Sequence, residues 1–458
     1  MSHAASPDLT AGSTSQPISR GDRIATIIIV LLYIALQCVL AVGHQPWRDE
    51  AQAWLWAQNL SGLRDFLIIP GEGHPPLWYW ILRGLSLFLD FSQARYFTLV
   101  VAIVNAVLLA RLLRGDVLIL ALLLCSHVVM QYWGYHFRPY SLVLTAVLGA
   151  LLLERNGRST AASWVMALAC GFHFYAGFPF ALWLLVQLQR GARLPTLLAP
   201  AALGLFFGAC ALVSGLGNPE SAPSSAHLAD MIAFNLAWPL TWPVLRIWPT
   251  AILSLALLCY GLWHQRAILL TLLALTILFA VGAAAVYGES PWHSAFMMVM
   301  TVMAFVLAGP PGAKRWVLIV LLTPQAVAGI AMVKNRLENP VWDRPDLYAV
   351  IQSDAGASFD PSRQLIGWQD YNLSPIAAAY DICYISGNNG ALLGPVDWRY
   401  RSEGAVDPVF GTIPTPYWLI CNECAPALAA IAEAGRATTE LARSKNFDDG
   451  MQIAYRVD

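Results

Sequence analysis

Charge is what this sequence has least of. Only 12% of its 458 residues are Asp, Glu, Lys or Arg, while 57% are hydrophobic. Soluble domains carry about 25% charged residues, so a soluble globule is excluded. The formal net charge is -1 and no basic run occurs, which excludes a nucleic-acid partner. Internal repeats and long low-complexity segments are absent too. Cysteine is sparse and scattered: Cys38, Cys125, Cys170, Cys210 and Cys259 fall inside apolar runs, where a thiol acts as a small hydrophobe. The one CxxC pair, Cys421 and Cys424, has no second pair to complete a zinc site. A structural disulfide in an oxidising compartment fits it better than a metal or redox centre.

What is present instead is a series of apolar blocks near the length of a membrane crossing, about 17 to 25 residues. They lie at 24–42, 75–91, 96–113, 117–134, 138–153, 161–190, 195–214, 250–263, 267–287, 294–309 and 315–333. The first is too long for a signal-peptide core and no small-residue cleavage site follows it, so it reads as an uncleaved span. The 161–190 block is interrupted by Gly171, Gly177 and Pro179 and reads as two short spans. The expected architecture is an all-α polytopic membrane protein of about 10–12 transmembrane helices. The expected division is a disordered cytoplasmic tail over 1–20, the transmembrane domain over 21–333 and a small periplasmic α/β domain over 334–458. In that last segment, short apolar runs such as Leu347–Ile351, Ile382–Ile385 and Tyr417–Cys421 alternate with Gly, Pro and Asp, and a helix-like stretch covers 425–434.

Basic residues set the sidedness, because Lys and Arg stay on the cytoplasmic side. They cluster at Arg20/Arg23, Arg111/Arg114, Arg155/Arg158, Arg190/Arg193, His264/Arg266 and Lys314/Arg315. All can be cytoplasmic only if 75–91 makes no complete crossing, or if 75–113 is otherwise irregular. Residues 43–95, 135–138, 215–249, 288–293 and everything after 334 then face outward. Nearly all the unusual polar residues collect on that face.

The first of these is Trp47-Arg48-Asp49-Glu50-Ala51, in an outer loop spanning 43–75. Adjacent carboxylates beside a membrane span are costly unless they have water, a partner or a task. The plain reading is an N-terminal cap on an interfacial helix carrying Trp47, Trp54 and Trp56 in the headgroup region. Two acids exceed what a cap needs, and the catalytic reading is preferred. His74-Pro75-Pro76-Leu77 opens the next apolar run; it is either a helix initiator or an anion site with His74 as donor. His136 and Arg138 are donors suited to a phosphate, or Arg138 snorkels to headgroups. His173-Phe174-Tyr175 interrupts a run, and Glu289, Trp292 and His293 occupy a tight outer turn. Such histidines serve as polar plugs or as contacts to a ligand.

At these residues the sequence resembles the GT-C superfamily of membrane glycosyltransferases, in its protein O-mannosyltransferase and aminoarabinose-transferase branch. Asp49-Glu50-Ala51 and His74-Pro75-Pro76-Leu77 match that branch's acidic loop and [His/Lys]-Pro-Pro-Leu motif in order and spacing. Ala94-Arg95-Tyr96 looks like the Ala-Arg that opens its following helix, and Arg138-Pro139-Tyr140 like its later Arg-x-Tyr. The likeness covers most of 24–190; further on, Pro291-Trp292-His293 stands where many relatives carry Arg-Tyr. The resemblance implies sugar transfer, with inversion, from a polyprenyl-phosphate-linked donor to a lipid, glycan or protein acceptor on the outer face. Asp49 or Glu50 would be the general base. His74, Arg95, His136, Arg138 and Tyr140 would hold the donor phosphate, and Glu289 and His293 would contact acceptor or donor. Membrane lipids surround the spans. Some relatives bridge the phosphate with a divalent metal, which the resemblance leaves open here, although no ligand cluster in the sequence demands one.

The competing classes are a transporter or flippase of lipid-linked sugars and a non-catalytic assembly subunit on the same scaffold. Transporters carry repeats and polar residues at the midplane, whereas here the polar residues lie at one face. The sidedness makes a direct prediction. A reporter fused after Asp458 should be active when it requires the periplasm and silent when it requires the cytoplasm; the reverse pattern would invert every outer loop.

Overall fold

The computed structural model describes residues 19–44, 46–216, 227–238, 247–286, 290–338, 346–395, 409–446 and 450–458. Among these, six helices are long and apolar enough to cross a membrane: Arg20–Gly43, Phe91–Leu112, Leu194–Gly215, Arg266–Ala285, Pro291–Gly309 and Arg315–Glu338. Val117–Leu124 and Val128–Tyr135 add a seventh if their 59° bend lies within one span. Shorter apolar helices, Ser159–Phe172, Phe174–Gln189, Leu228–Ala237 and Ile247–Leu262, complete the helical part with Tyr140–Arg155. Ile27, Ile28, Leu31, Leu32 and Leu205 are exposed on the outer faces. Lipid tails solvate such a surface where water would not.

The apolar run at 75–91 folds as the nine-residue helix Leu77–Leu85. At 1.5 Å per residue it spans about 14 Å, less than half of a hydrocarbon core about 30 Å thick. It therefore does not cross. The 161–190 run breaks at His173 into Ser159–Phe172 and Gly177–Gln189, joined by the short turn Phe174–Ala176.

Several basic connectors meet at one end of the bundle. Arg155 donates to the Leu112 carbonyl, Arg190 to Glu154 and to the Leu307 carbonyl, and Arg315 to Asp116. Helix Tyr140–Arg155 has Arg155 at this end and the Arg138 turn at the other. Phe97–Leu112 likewise places Leu112 here and Arg95 opposite. The helices thus deliver the polar motifs of separate loops to one opposite end.

Val128–Tyr135 is a wide π-type turn that leaves α-helical geometry at Gly134. Polar side chains of the first helix satisfy the carbonyls this frees: Tyr33 donates to Val129 O at 3.1 Å and Gln37 to Met130 O at 2.8 Å. That is how a bent backbone is tolerated away from water.

The C-terminal part is a small α/β domain, as the alternation of short runs implies. Its six strands are β1 (Leu365–Trp368), β2 (Tyr384–Ser386), β3 (Leu392–Leu393), β4 (Tyr417–Cys421), β5 (Thr438–Asn446) and β6 (Gly450–Val457). The order is β3-β2-β1-β4-β6-β5, with β1 parallel to β2 and β4 and the remaining pairs antiparallel. The run at 417–421 is the fully buried strand β4, and Ala425–Glu433 is a helix. Leu347–Ala355 is also helical, and Arg315–Glu338 continues past the expected boundary at 334. Cys421 and Cys424 are joined by a disulfide.

This domain packs on the outer loop. Ala51, Trp54, Trp78 and Phe137 share one core with Leu373, Trp418 and Ile420. Trp54 is accordingly 0% exposed, so the helix it sits on does not lie in the headgroups with that ring toward lipid. The sheet domain covers it instead.

Gly134 marks the point of closest approach. A Cβ there would lie 2.6 Å from Gln37 Oε1 and 2.8 Å from Val129 O. Gly134→Ala should therefore destabilise the detergent-solubilised protein by about 1–3 kcal/mol, read as a lowered midpoint of thermal unfolding.

Candidate active site

The two adjacent acids have different surroundings. Glu50 lies in the first turn of helix Arg48–Gln58, is 1% exposed and turns inward. Its Oε2 accepts from Trp47 N at 2.8 Å, capping its own helix, and its Oε1 accepts from Phe137 N at 2.7 Å. His44 Nε2 lies 3.0 and 2.8 Å from the two oxygens, and His136 Nδ1 lies 3.6 Å from Oε1. One carboxylate thus joins the end of the first helix, the loop helix and the 136–138 turn. Burial opposes its ionisation, yet His44, then His136 and the Trp47 amide, outweigh burial and hold its pKa below the usual range.

Asp49 remains accessible, with its side chain 26% exposed. Arg138 donates to the Asp49 carbonyl at 2.9 Å, and its Nη2 lies 3.7 Å from Asp49 Oδ2. The Arg138 side chain is 6% exposed. A guanidinium in so dry a setting needs negative charge nearby, and Asp49 supplies it. Arg48 Nε lies 3.5 Å from the other Asp49 oxygen, and the Arg48 guanidinium stacks on Tyr371 of the C-terminal domain at 4.8 Å. The sheet domain thereby braces the start of the loop helix.

A third acid, Glu72, joins them, and sequence reasoning missed it. It sits between Gly71 and Gly73, whose φ values of 78° and 61° are open to glycine. The loop is tied to helix Leu194–Gly215 by Ile69 N to Ser214 Oγ at 3.0 Å and Gly71 N to Ser214 O at 2.8 Å. Tyr79 donates to Glu72 Oε2 at 2.9 Å and Gln52 to Oε1 at 3.3 Å. Burial first, with the charge of Asp49, raises the Glu72 pKa against the pull of Tyr79, Arg138 and Gln52. The available signal was an acid flanked by two glycines just ahead of His74.

His74 Nδ1 lies 2.6 Å from the Glu72 carbonyl, which can only accept. That nitrogen carries the proton, and Nε2 keeps its lone pair. Burial lowers the His74 pKa to about 4, so at neutral pH it offers an acceptor rather than a cation. Behind it stand His173, 5.4 Å away ring to ring, then His293 at 5.3 Å from His173, with Tyr140 at 5.0 Å from His173. Arg138 lies over the Tyr140 ring at 5.9 Å.

The structure therefore brings Asp49, His74, Arg138, Tyr140 and His293 into one cluster, and adds Glu72, Tyr79 and His173. Two expected phosphate ligands are used elsewhere. Arg95 donates to the His44 carbonyl at 2.8 Å, Tyr96 Oη at 3.0 Å and the Ser92 carbonyl at 3.1 Å; it closes the end of the first helix. His136 lies on the Glu50 side, stacked at 4.6 Å on His44. Glu289 falls outside the described residues. Among the described residues, His44, Glu50 and His136 form the group close enough to hold a metal.

Removing the Glu50 charge should unfasten the three segments it joins. Glu50→Gln should cost about 3 kcal/mol or more at neutral pH, as loss of one partner from a buried charged network does. Because the folded pKa of Glu50 is depressed, its contribution is fully present above the ordinary glutamate range and vanishes as pH falls through the folded value. The gap in unfolding midpoint between wild type and variant should close with acidification. Asp49→Asn should cost less than Glu50→Gln, because the Asp49 side chain is 26% exposed and stands 3.7 Å from Arg138 rather than in a closed hydrogen-bonded network.

No family model matches this sequence, and no curated protein matches it. Among solved structures, the chain is similar to the crystal structure of ArnT from Cupriavidus metallidurans bound to undecaprenyl phosphate. The identity is 14% and the TM-score 0.54, over 93% of this chain and 97% of that one. So complete a coverage takes in both the helical part and the sheet domain, and it shows that this chain has an ArnT-like fold.

Proposed function

We propose that this chain is an inverting membrane glycosyltransferase that moves a sugar from a polyprenyl-phosphate donor to an envelope acceptor. The observation that carries the reading is the pairing of an accessible carboxylate, Asp49, with a buried guanidinium, Arg138, within an ArnT-like fold. We place it in the inner membrane, with a cytoplasmic N-terminus and a periplasmic C-terminal domain. The acceptor is a lipid, glycan or protein hydroxyl or amine.

In this mechanism Asp49 takes the acceptor's proton as the acceptor attacks the anomeric carbon from the face opposite the phosphate. The bond from that carbon to the phosphate oxygen breaks, and its electron pair leaves with the polyprenyl phosphate. Arg138 stabilises the charge that develops there, in a setting dry enough to make the interaction strong. Glu50 is fully hydrogen-bonded and acts by holding Asp49 in place. Neutral His74 presents Nε2 to a sugar hydroxyl, and Glu72, held by Tyr79 and Gln52, stands beside it. Tyr140, His173 and His293 wall the pocket.

Asp49→Asn should lower transfer by about 100-fold or more, the usual range for a lost general base, with normal protein level. Arg138→Lys keeps the charge but loses planar two-point contact, so turnover should also fall well below wild type. Both are measured by mass spectrometry of envelope glycolipids and glycoproteins in a deletion strain complemented with each variant. Full complementation by Asp49→Asn and Arg138→Ala would sink the enzyme reading. A flippase leaves the sugar–phosphate bond intact, so release of polyprenyl phosphate by the purified protein separates the two classes.

A further inference from the structure

The Glu50 cluster holds a buried imidazole that makes no hydrogen bond among the described residues. His136 is 5% exposed. Its Nε2 has no hydrogen-bond partner among the described residues, and its Nδ1 stands 3.6 Å from Glu50 Oε1, beyond hydrogen-bond reach. A buried ring nitrogen left without a partner is unfavourable. His44 offers Nε2 to the same carboxylate at 2.8 and 3.0 Å. The ligand atoms of all three residues lie within 4.8 Å of one another.

We propose that His44, Glu50 and His136 form a binding site for a zinc-class transition-metal ion. Tetrahedral ligands at zinc bond lengths of about 2.0–2.2 Å sit about 3.3–3.6 Å apart. His136 Nδ1 already stands 3.6 Å from Glu50 Oε1, and His44 Nε2, at 2.8 and 3.0 Å, would move slightly outward to exchange its hydrogen bond for the ion. Two imidazoles and one carboxylate select zinc and its neighbours over magnesium or calcium, which prefer oxygen donors. The carboxylate is also oriented by the Trp47 and Phe137 amides, as ligand carboxylates commonly are.

The ion would act as a pin. Its ligands come from the end of the first helix, the loop helix and the 136–138 turn. Glu50 is next to Asp49 and His136 is two residues from Arg138, so the ion fixes the separation of those two groups. It stands apart from any metal that would bridge the donor phosphate, and its presence does not depend on which reaction the chain performs.

The test uses the full-length protein in detergent, stripped with a chelator and then given zinc or magnesium alone. Zinc should remain at about one equivalent per chain after gel filtration and raise the unfolding midpoint by several degrees; magnesium should do neither. Cobalt substituted for zinc should give the visible absorption of a tetrahedral ion. His44→Ala and His136→Ala should each lose the bound equivalent, while His74→Ala keeps it. If the alanine variants do not fold, the wild-type zinc and cobalt measurements decide alone. No retained zinc and no shift in midpoint would overturn the proposal, leaving a hydrogen-bonded triad only. Zinc retained undiminished by folded His44→Ala and His136→Ala would overturn it equally, by placing the ion elsewhere.

Discussion

The carboxylate of Glu50 is the fixed point of the end of this molecule that gathers the polar motifs. A bare charge in so enclosed a position would be several kcal/mol unfavourable. It is tolerated because two backbone amides and His44 converge on its two oxygens. Those partners belong to segments 87 residues apart in the chain, at Phe137, and 6 apart, at His44. Compensating one buried charge therefore determines how the first helix, the loop helix and the Arg138 turn sit relative to one another.

Around that point the structure separates two tasks that adjacent acids seem to share on paper. Side chains of consecutive helical residues point about 100° apart, so Glu50 turns into the protein while Asp49 faces the Arg138 cluster. The first carboxylate is held by two backbone amides and His44. The second keeps open surface and a single buried cation as neighbour. Glu72 adds a third kind of carboxyl, pushed toward its neutral form by burial. The two glutamates of one loop thus shift in opposite directions, set by burial and hydrogen-bond donors rather than by residue type.

The C-terminal domain contributes by covering. Its Leu373, Trp418 and Ile420 bury the loop helix from one side, and Tyr371 stacks on Arg48. A short helix such as Arg48–Gln58 has little stability alone; packed between membrane helices and a sheet it becomes a rigid platform. The same cover explains why Trp54 is a core residue although it belongs to a loop that resembles an interfacial helix.

The sequence alone determined what depends on composition and period. Scarce charge and long apolar blocks imposed a polytopic helical fold, basic connectors imposed a common end, and the short runs after 346 imposed strands and helices. The acidic pair, the His-Pro-Pro motif and Arg138 were legible because polar residues beside spans are expensive and therefore rare. Tertiary structure alone decided which carboxylate is saturated, because that depends on amides contributed from 87 residues away. It likewise spent Arg95 on the His44 carbonyl and drew Glu72 and Tyr79 into the site. Hydrogen-bond partners are set by three-dimensional proximity, and no local pattern encodes which donor reaches a given oxygen first.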